Sequence, residues 1–265
     1  MTPTTAARMT ERKPSFFTTN AVFIGRSIRL SLRNTEALLM AIILPVMLML
    51  MFTYVFGGAI DPSGDYVVYV VPGIILLCAG FGSSSTAVSV AEDMTNGIID
   101  RFRTMPIQSV SVITGHIVAS LMRNLVATGV VIGVGHLVGY RSSASAGEWL
   151  AALGVIALFI LVLTWLFAAI GLSSGNPSAA SGYGFALLFL PYLSSAFVPT
   201  STMPSWLRGV ADNQPITPVI ETIRGLLNGT PIHNNGWLSL AWCIGLLAVS
   251  MIWSQLAFRR KAGRR

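Results

Sequence analysis

ALLMAIILPVMLMLMFTYVFGGA, residues 37–59, carries no charged side chain from end to end. A helix needs about 20 apolar residues to cross the roughly 30 Å hydrocarbon core of a bilayer, and this run is long enough. Five further stretches read the same way: 67–91, 118–139, 149–171, 178–199 and 238–258. The whole chain agrees, with 53% hydrophobic residues, 10% charged residues and a mean hydropathy of +0.70, values that exclude an ordinary soluble surface. The expected fold is all-α, a polytopic membrane protein with six transmembrane helices. The stretch 178–199 is the weakest of the six, because SAASGYGFALLFLPYLSSAF opens on small polar residues and holds Pro191 in its middle. Such helices pack against protein rather than lipid.

Orientation follows from the cations. Of the 17 Lys and Arg, six precede the first span, two lie in 92–107 and five follow the last span. Arg141, Arg208 and Arg224 fall on the opposite side. The positive-inside rule therefore puts both termini and the loop 92–107 in the cytoplasm. The net charge of +7 is a consequence of that topology and implies no nucleic-acid partner. The first 36 residues hold no apolar core of signal-peptide type, so no cleaved leader is expected.

Residues 1–15 read as a cytoplasmic tail and 259–265 as a second, basic one. Between Phe16 and Arg33, Phe23, Ile28, Leu30 and Leu32 interleave with Arg26, Arg29 and Arg33, three arginines at i, i+3 and i+7. Two readings fit: an amphipathic helix on the inner membrane surface, or an unstructured basic anchor for lipid head groups. From Gln108 to Tyr140 no helix breaker occurs, so span three is expected to begin in the cytosol, with Arg123 snorkelling near the inner interface. Gly129 with Gly133 and Gly135 with Gly139 would permit close helix contact. The outer segment 200–235 has helical signals of its own: Thr217 as a cap, Pro218 in the first turn, Gly229 at the end, and an apolar face from Ile216 to Leu227.

Several chemistries are excluded by residue type. A P-loop needs Gly-Lys-Ser/Thr, and neither Lys13 nor Lys261 follows a glycine, so this chain carries no such ATP site and no catalytic residues are expected. His116, His136 and His233 are scattered, and Cys78 and Cys243 sit inside spans, so neither hydrolytic nor metal chemistry has a constellation. All ten acids fall in tails, loops or span ends, which makes an ion-coupled transporter the weaker alternative, beside a membrane scaffold or sensor.

Energy must then arrive from a partner, and the charged loop EDMTNGIIDRFRTMPI, residues 92–107, is where it would dock. As a helix over 97–106 it places Ile98, Ile99, Phe102 and Met105 as apolar knobs and Asp100, Arg101 and Arg103 as a charged rim, and Pro106 ends it. Glu92 and Asp93 precede it at a helix C-terminus, where the macrodipole disfavours acids, and the nearest expected cations are Arg26, Arg29 and Arg33.

At this point GIIDRFRTMPI (Gly97–Ile107) and DNQPITPVIETIRGLLNG (Asp212–Gly229) resemble the permease subunits of ABC-2 type ABC exporters, and within them the daunorubicin-resistance-like drug exporters. With the span pattern, the resemblance covers nearly the whole chain. It implies a connecting helix at 16–35, a six-span transmembrane domain at 36–258, a coupling helix at 97–106 and outer re-entrant helices within 200–235. It also implies a homodimer or pseudo-dimer served by two separate ATPase subunits that bind ATP and Mg, no cofactor being held by this chain. Hydrophobic or amphiphilic drug-like cargo is expected, with lipid-linked glycan or lipid as the alternative. Relatives form a cavity from spans two and five at the dimer axis, where this sequence has Phe81, Phe185, Phe189 and Tyr192 among small residues. Ordinary helix packing explains those rings equally well. The uncharged inner loop SSGNPS, Ser173–Ser178, is short for the family and leaves most of the coupling to 97–106.

Overall fold

The computed structural model describes residues 24–29, 35–96 and 110–262. The tail 1–15, most of 16–35 including Arg33, and Ile98, Ile99, Asp100, Arg101, Phe102, Arg103, Met105 and Pro106 lie outside the described residues. Those that are described form helices and turns, with no strand among them.

Among the described residues, five helices are long and apolar enough to cross a membrane. The first, α1, is Thr35–Leu50, continued by a π-helical turn at Met51–Phe56 and by Gly57–Ile60. Then come α2 (Tyr66–Thr95), α3 (Val110–Val138) and α4 (Ala146–Ser173). After these, α5 (Pro177–Leu187), α6 (Ser205–Asn213) and α7 (Ile216–Asn228) are too short to span, and α8 (Asn235–Ala262) is the fifth long helix. The middle of the bundle is α2, whose apolar stretch is 78% buried against 17% in α1 and in α8. It touches α1, α3, α4, α5 and α7, while α4 bridges it to α8.

The stretch 178–199 differs from the continuous helix the sequence predicts. Asn176 accepts a hydrogen bond from Ala179 N at 2.8 Å and Pro177 follows it at the first helical position, so α5 starts cleanly. It stops at Leu187, four residues before Pro191, whose ring displaces that carbonyl and whose nitrogen has no proton to offer it. A 3₁₀ turn, Leu190–Leu193, takes over. The segment still runs antiparallel along much of α2. Gly184 lies against Ser84 and Gly80 against Leu188, Ala196 lies against Gly73, and Tyr66 donates its hydroxyl proton to Phe197 O at 2.7 Å.

Prolines inside the long helices leave carbonyls that distant side chains take up. Pro72 cannot bond Val68 O, and Asn228 Nδ2 donates to it at 2.8 Å. Pro45 likewise cannot bond Ala41 O, and the Cys78 thiol points at it from 3.4 Å. A free carbonyl in hydrocarbon costs several kcal/mol, so these contacts bind helix to helix as well as satisfying the backbone.

The segment within 200–235 is stitched down in the same manner. Of its thirteen residues α7 buries ten, including Arg224 at 5% exposure. The guanidinium lies 3.8 Å over the Tyr69 ring, donates to Tyr69 O at 3.1 Å and Ser195 O at 2.9 Å, and pairs with Glu221. Tyr140 donates to Asn228 Oδ1 and Ser142 to Leu227 O, which ties the α3–α4 turn to α7. Thr217 does not cap α7 as its position suggests. It lies in the first turn and its hydroxyl donates back to Ala211 O at 2.6 Å, joining α7 to α6. Gly229 ends the helix with φ of 72° and its N–H on Gly225 O, a left-handed conformation that suits glycine.

Of the expected glycines only Gly135 faces other helices, its Cβ position lying 3.5 Å from Val71 and 3.9 Å from Met49, and the closest approaches fall elsewhere. A Cβ at Gly73 would strike Ala196, and one at Gly171 the Ala87 backbone, whereas one at Gly129 or Gly133 would meet nothing within 4 Å. Arg123 does not snorkel either. It turns inward and donates to Gly82 O at 3.0 Å and Ser85 Oγ at 2.8 Å, because the small residues of α2 expose a carbonyl to it.

Replacing Arg224 by Met would leave Glu221 without its partner and remove a donor from Tyr69 O and from Ser195 O, the latter keeping the Tyr69 hydroxyl at 2.9 Å. Loss of one partner from a buried, hydrogen-bonded charge pair costs about 3–5 kcal/mol. Arg208→Ala removes an exposed pair with Asp212, worth about 0–1 kcal/mol. Thermal unfolding of the purified protein should show a large drop in midpoint for the first variant and almost none for the second.

Candidate functional site

Three places in the bundle concentrate groups that could act. The first is the end of α2. Asp93 is 8% exposed there, whereas its neighbour Glu92 is exposed. Arg26 Nη1, on the helical stretch 24–29, lies 3.6 Å from Asp93 Oδ2, and His116 Nε2 on α3 lies 2.9 Å from the same oxygen. Asp93 thus joins the N-terminal segment, α2 and α3 at one point, four residues before the sequence 97–106. Arg29 is exposed at residue level. The sequence pairs Glu92 and Asp93 as equals, and burial separates them. His116 is not marked in the sequence, because it lies 23 residues from Asp93 on a different helix, beyond any periodic signal.

The second place is a polar knot at the centre of α2, α3 and α4. Ser83, Thr86, Ser120, Asn124 and Thr164 are all at most 3% exposed. Thr86 donates to Ser120 Oγ at 2.9 Å, and Asn124 Nδ2 donates to Ser120 O at 3.0 Å and Ser83 Oγ at 3.2 Å. Ser83 and Thr164 hydroxyls meet at 3.3 Å. Gly82 is required beside it, since a Cβ there would overlap the Asn124 side chain. Polar contacts of this kind between membrane helices contribute about 0.6–2 kcal/mol each and fix helix register more than they stabilise.

The third is an aromatic row. Phe185 and Phe189 meet edge to face at 5.2 Å, and Phe189 and Tyr192 are 6.2 Å apart. Phe185 is 61% and Phe189 54% exposed, so this face of the isolated chain is open. The row continues through Phe197, stacked on Tyr192 at 5.1 Å, to Phe52, stacked on Phe197 at 4.2 Å, and to Phe56. Phe81 stands apart from these rings and packs into the main core. The Phe52 and Phe56 contribution rests on the π-helical turn of α1, which no hydropathy pattern reveals. No group of three His, Cys, Asp or Glu that could hold a metal occurs among the described residues.

Asp93 and Glu92 can be told apart by one pair of variants. Asp93→Asn weakens two contacts of a nearly buried carboxylate and should cost about 1.5–3 kcal/mol, read as a fall of several degrees in the unfolding midpoint. Glu92→Gln, on an exposed side chain, should leave the midpoint within about 1 °C.

Comparison with known proteins adds what geometry alone does not. The ABC-2 type transporter family matches residues 20–228. The chain is similar to a daunorubicin resistance ABC transporter permease protein, DrrB1, of Streptomyces coeruleorubidus, 30% identical over 222 residues, 83% of this chain and 78% of that one. It is also similar to a probable doxorubicin resistance ABC transporter permease protein, DrrC, of Mycobacterium tuberculosis, 25% identical over 83% of this chain and 80% of that one. A membrane permease of this kind is the non-catalytic subunit of a transporter and works with an ATPase subunit. The buried all-helical bundle and the match over most of its length lead to one conclusion: the chain belongs to the ABC-2 type transporter family.

Proposed function

We propose that this permease expels hydrophobic or amphiphilic drug-like compounds across a bacterial plasma membrane, from the cytoplasm or inner leaflet. The observation that carries this is the pair of relatives named for daunorubicin and doxorubicin resistance, each aligned over 83% of the chain. The open row Phe185, Phe189 and Tyr192 supports it, because ring faces favour flat apolar cargo. A lipid-linked glycan would need a wide polar channel, and the row is apolar.

In this reading the chain crosses the membrane six times, the fifth crossing being the broken segment from Pro177 to Phe197. Both termini and the Asp93 end face the cytoplasm, where the cations of 1–36, 92–107 and 259–265 cluster. Two copies of the permease face each other and two separate ATPases, which bind ATP and Mg, dock below. Ile98, Ile99, Phe102 and Met105 seat in a groove on the ATPase, while Asp100, Arg101 and Arg103 hold the register and Pro106 ends the helix. Arg26, held by Asp93, sets the angle of the connecting helix against that loop, with Arg29, Arg33 and the exposed Glu92 at its margin.

Truncating a buried aromatic anchor costs about 2 kcal/mol or more in binding, whereas a rim charge acts mainly on association rate and salt sensitivity. Phe102→Ala should leave the permease inserted but lower co-purification of the ATPase by roughly thirtyfold. Arg101→Ala should give a milder loss that grows with salt. Undiminished drug transport by the Ile98→Ala, Phe102→Ala double variant would contradict the coupling role of 97–106.

A further inference from the structure

A cavity of about 520 Å³ lies on the other side of α5 from the niche beside the aromatic row, between α4, α5 and α8. Its walls are apolar, with Leu166 and Ile170 from α4 and Leu187 from α5. Two amphipathic rings, Tyr183 and Trp253, stand on α5 and α8, and the Ser173 and Ser174 hydroxyls line the end of α4. Among the described residues, no charged side chain lines it. A volume of this size, apolar with a few polar groups at one end, is that of a small-molecule site.

Its depth identifies what can reach it. Gly171 lies against Ala87 and Val90 near the Asp93 end of α2, so Ser173 marks that end of the bundle and Leu166 lies about two turns further in. A molecule seated here would keep its polar part beside Ser173 at the membrane boundary and its uncharged body between the helices. The partition behind it is thin. On its opposite side α5 presents Ser181 and Phe185 to a smaller cavity of about 110 Å³ that Ser84 and Ser85 of α2 also line. It is eleven residues long, contains Gly182 and Gly184, and loses its α-helical bonds at Leu187.

We propose that the larger cavity is the intake site of the exporter, taking the uncharged body of an amphiphile from the leaflet at the Asp93 end before it reaches the aromatic row. This rests on the drug-export reading. The cargo class follows from the lining: a flat or compact apolar body bearing one polar end, which Tyr183 and Trp253 grip from two sides.

The test uses full-length permease with its ATPase in inverted membrane vesicles and daunorubicin as the probe. In Ala186→Cys the new thiol lines the cavity, while Cys78 and Cys243 are 0% and 2% exposed and react slowly. Daunorubicin should slow maleimide labelling of that thiol at least about threefold, a change that needs well over half of the sites occupied. Filling the cavity with Ala186→Trp should raise KM for daunorubicin about tenfold with kcat retained, the mark of lost binding without lost chemistry. ATP-dependent daunorubicin uptake with unaltered labelling would overturn the intake site and keep the export reading. Slowed labelling without any uptake would keep the site and overturn that reading. A thiol that is protected before daunorubicin is added, and stays equally protected afterwards, would mark a resident lipid and overturn the proposal.

Discussion

A backbone carbonyl in hydrocarbon has no water to turn to, and this fold is arranged around carbonyls that its own prolines release. Pro72 leaves Val68 O of the continuous helix α2 without its helical donor, and α7 lies over that carbonyl and its neighbours. Asn228 takes Val68 O, while Arg224 one turn earlier takes Tyr69 O and, from the broken segment, Ser195 O. One guanidinium therefore holds three elements, and burial makes the arrangement strict, because water cannot stand in for a lost donor there. The end of the bundle that α7 covers is consequently a single clamped unit.

The opposite end is held differently. There Asp93 joins the N-terminal segment to α2 and α3 through Arg26 and His116, with one carboxylate oxygen serving both. Between the two ends the Ser83, Ser120, Asn124 and Thr164 knot fixes α2, α3 and α4 in register. Beside these, α5, with eleven residues, is the shortest of the numbered helices that pack against α2. Its N-terminal half is built of small residues, and hydrogen bonds from Leu188 N to Phe185 O, Phe189 N to Ala186 O and Tyr192 N to Phe189 O carry it into the 3₁₀ turn at Leu190–Leu193. It is the helix that separates the two cavities.

Much of the architecture is legible in the sequence because hydropathy is a long-range average. The helices 67–91, 149–171 and 238–258 appear within longer observed ones, 118–139 runs one residue past the end of α3, and the doubt over 178–199 rests on Pro191, four residues beyond the end of α5. Side-chain partners were not legible, since they depend on which faces meet. Arg123 reads as an interfacial cation until Gly82 is seen opposite it, and Thr217 reads as a cap until Ala211 O takes its proton. Phe185, Phe189 and Tyr192 follow from spacing on one element, whereas Phe52 and Phe197 join them only through the three-dimensional path of α1 and the broken segment. The large cavity left no trace in the sequence, because its walls come from three helices whose apolar residues look like any others.

The central claim is that transport through this permease is driven by ATP hydrolysed on another chain. The most direct measurement is daunorubicin uptake into inverted vesicles holding the permease with or without its ATPase, in the presence and absence of a protonophore. Uptake that requires both the ATPase and ATP, and survives collapse of the proton gradient, is the predicted result. Uptake by the permease without the ATPase, abolished by the protonophore, would contradict the account.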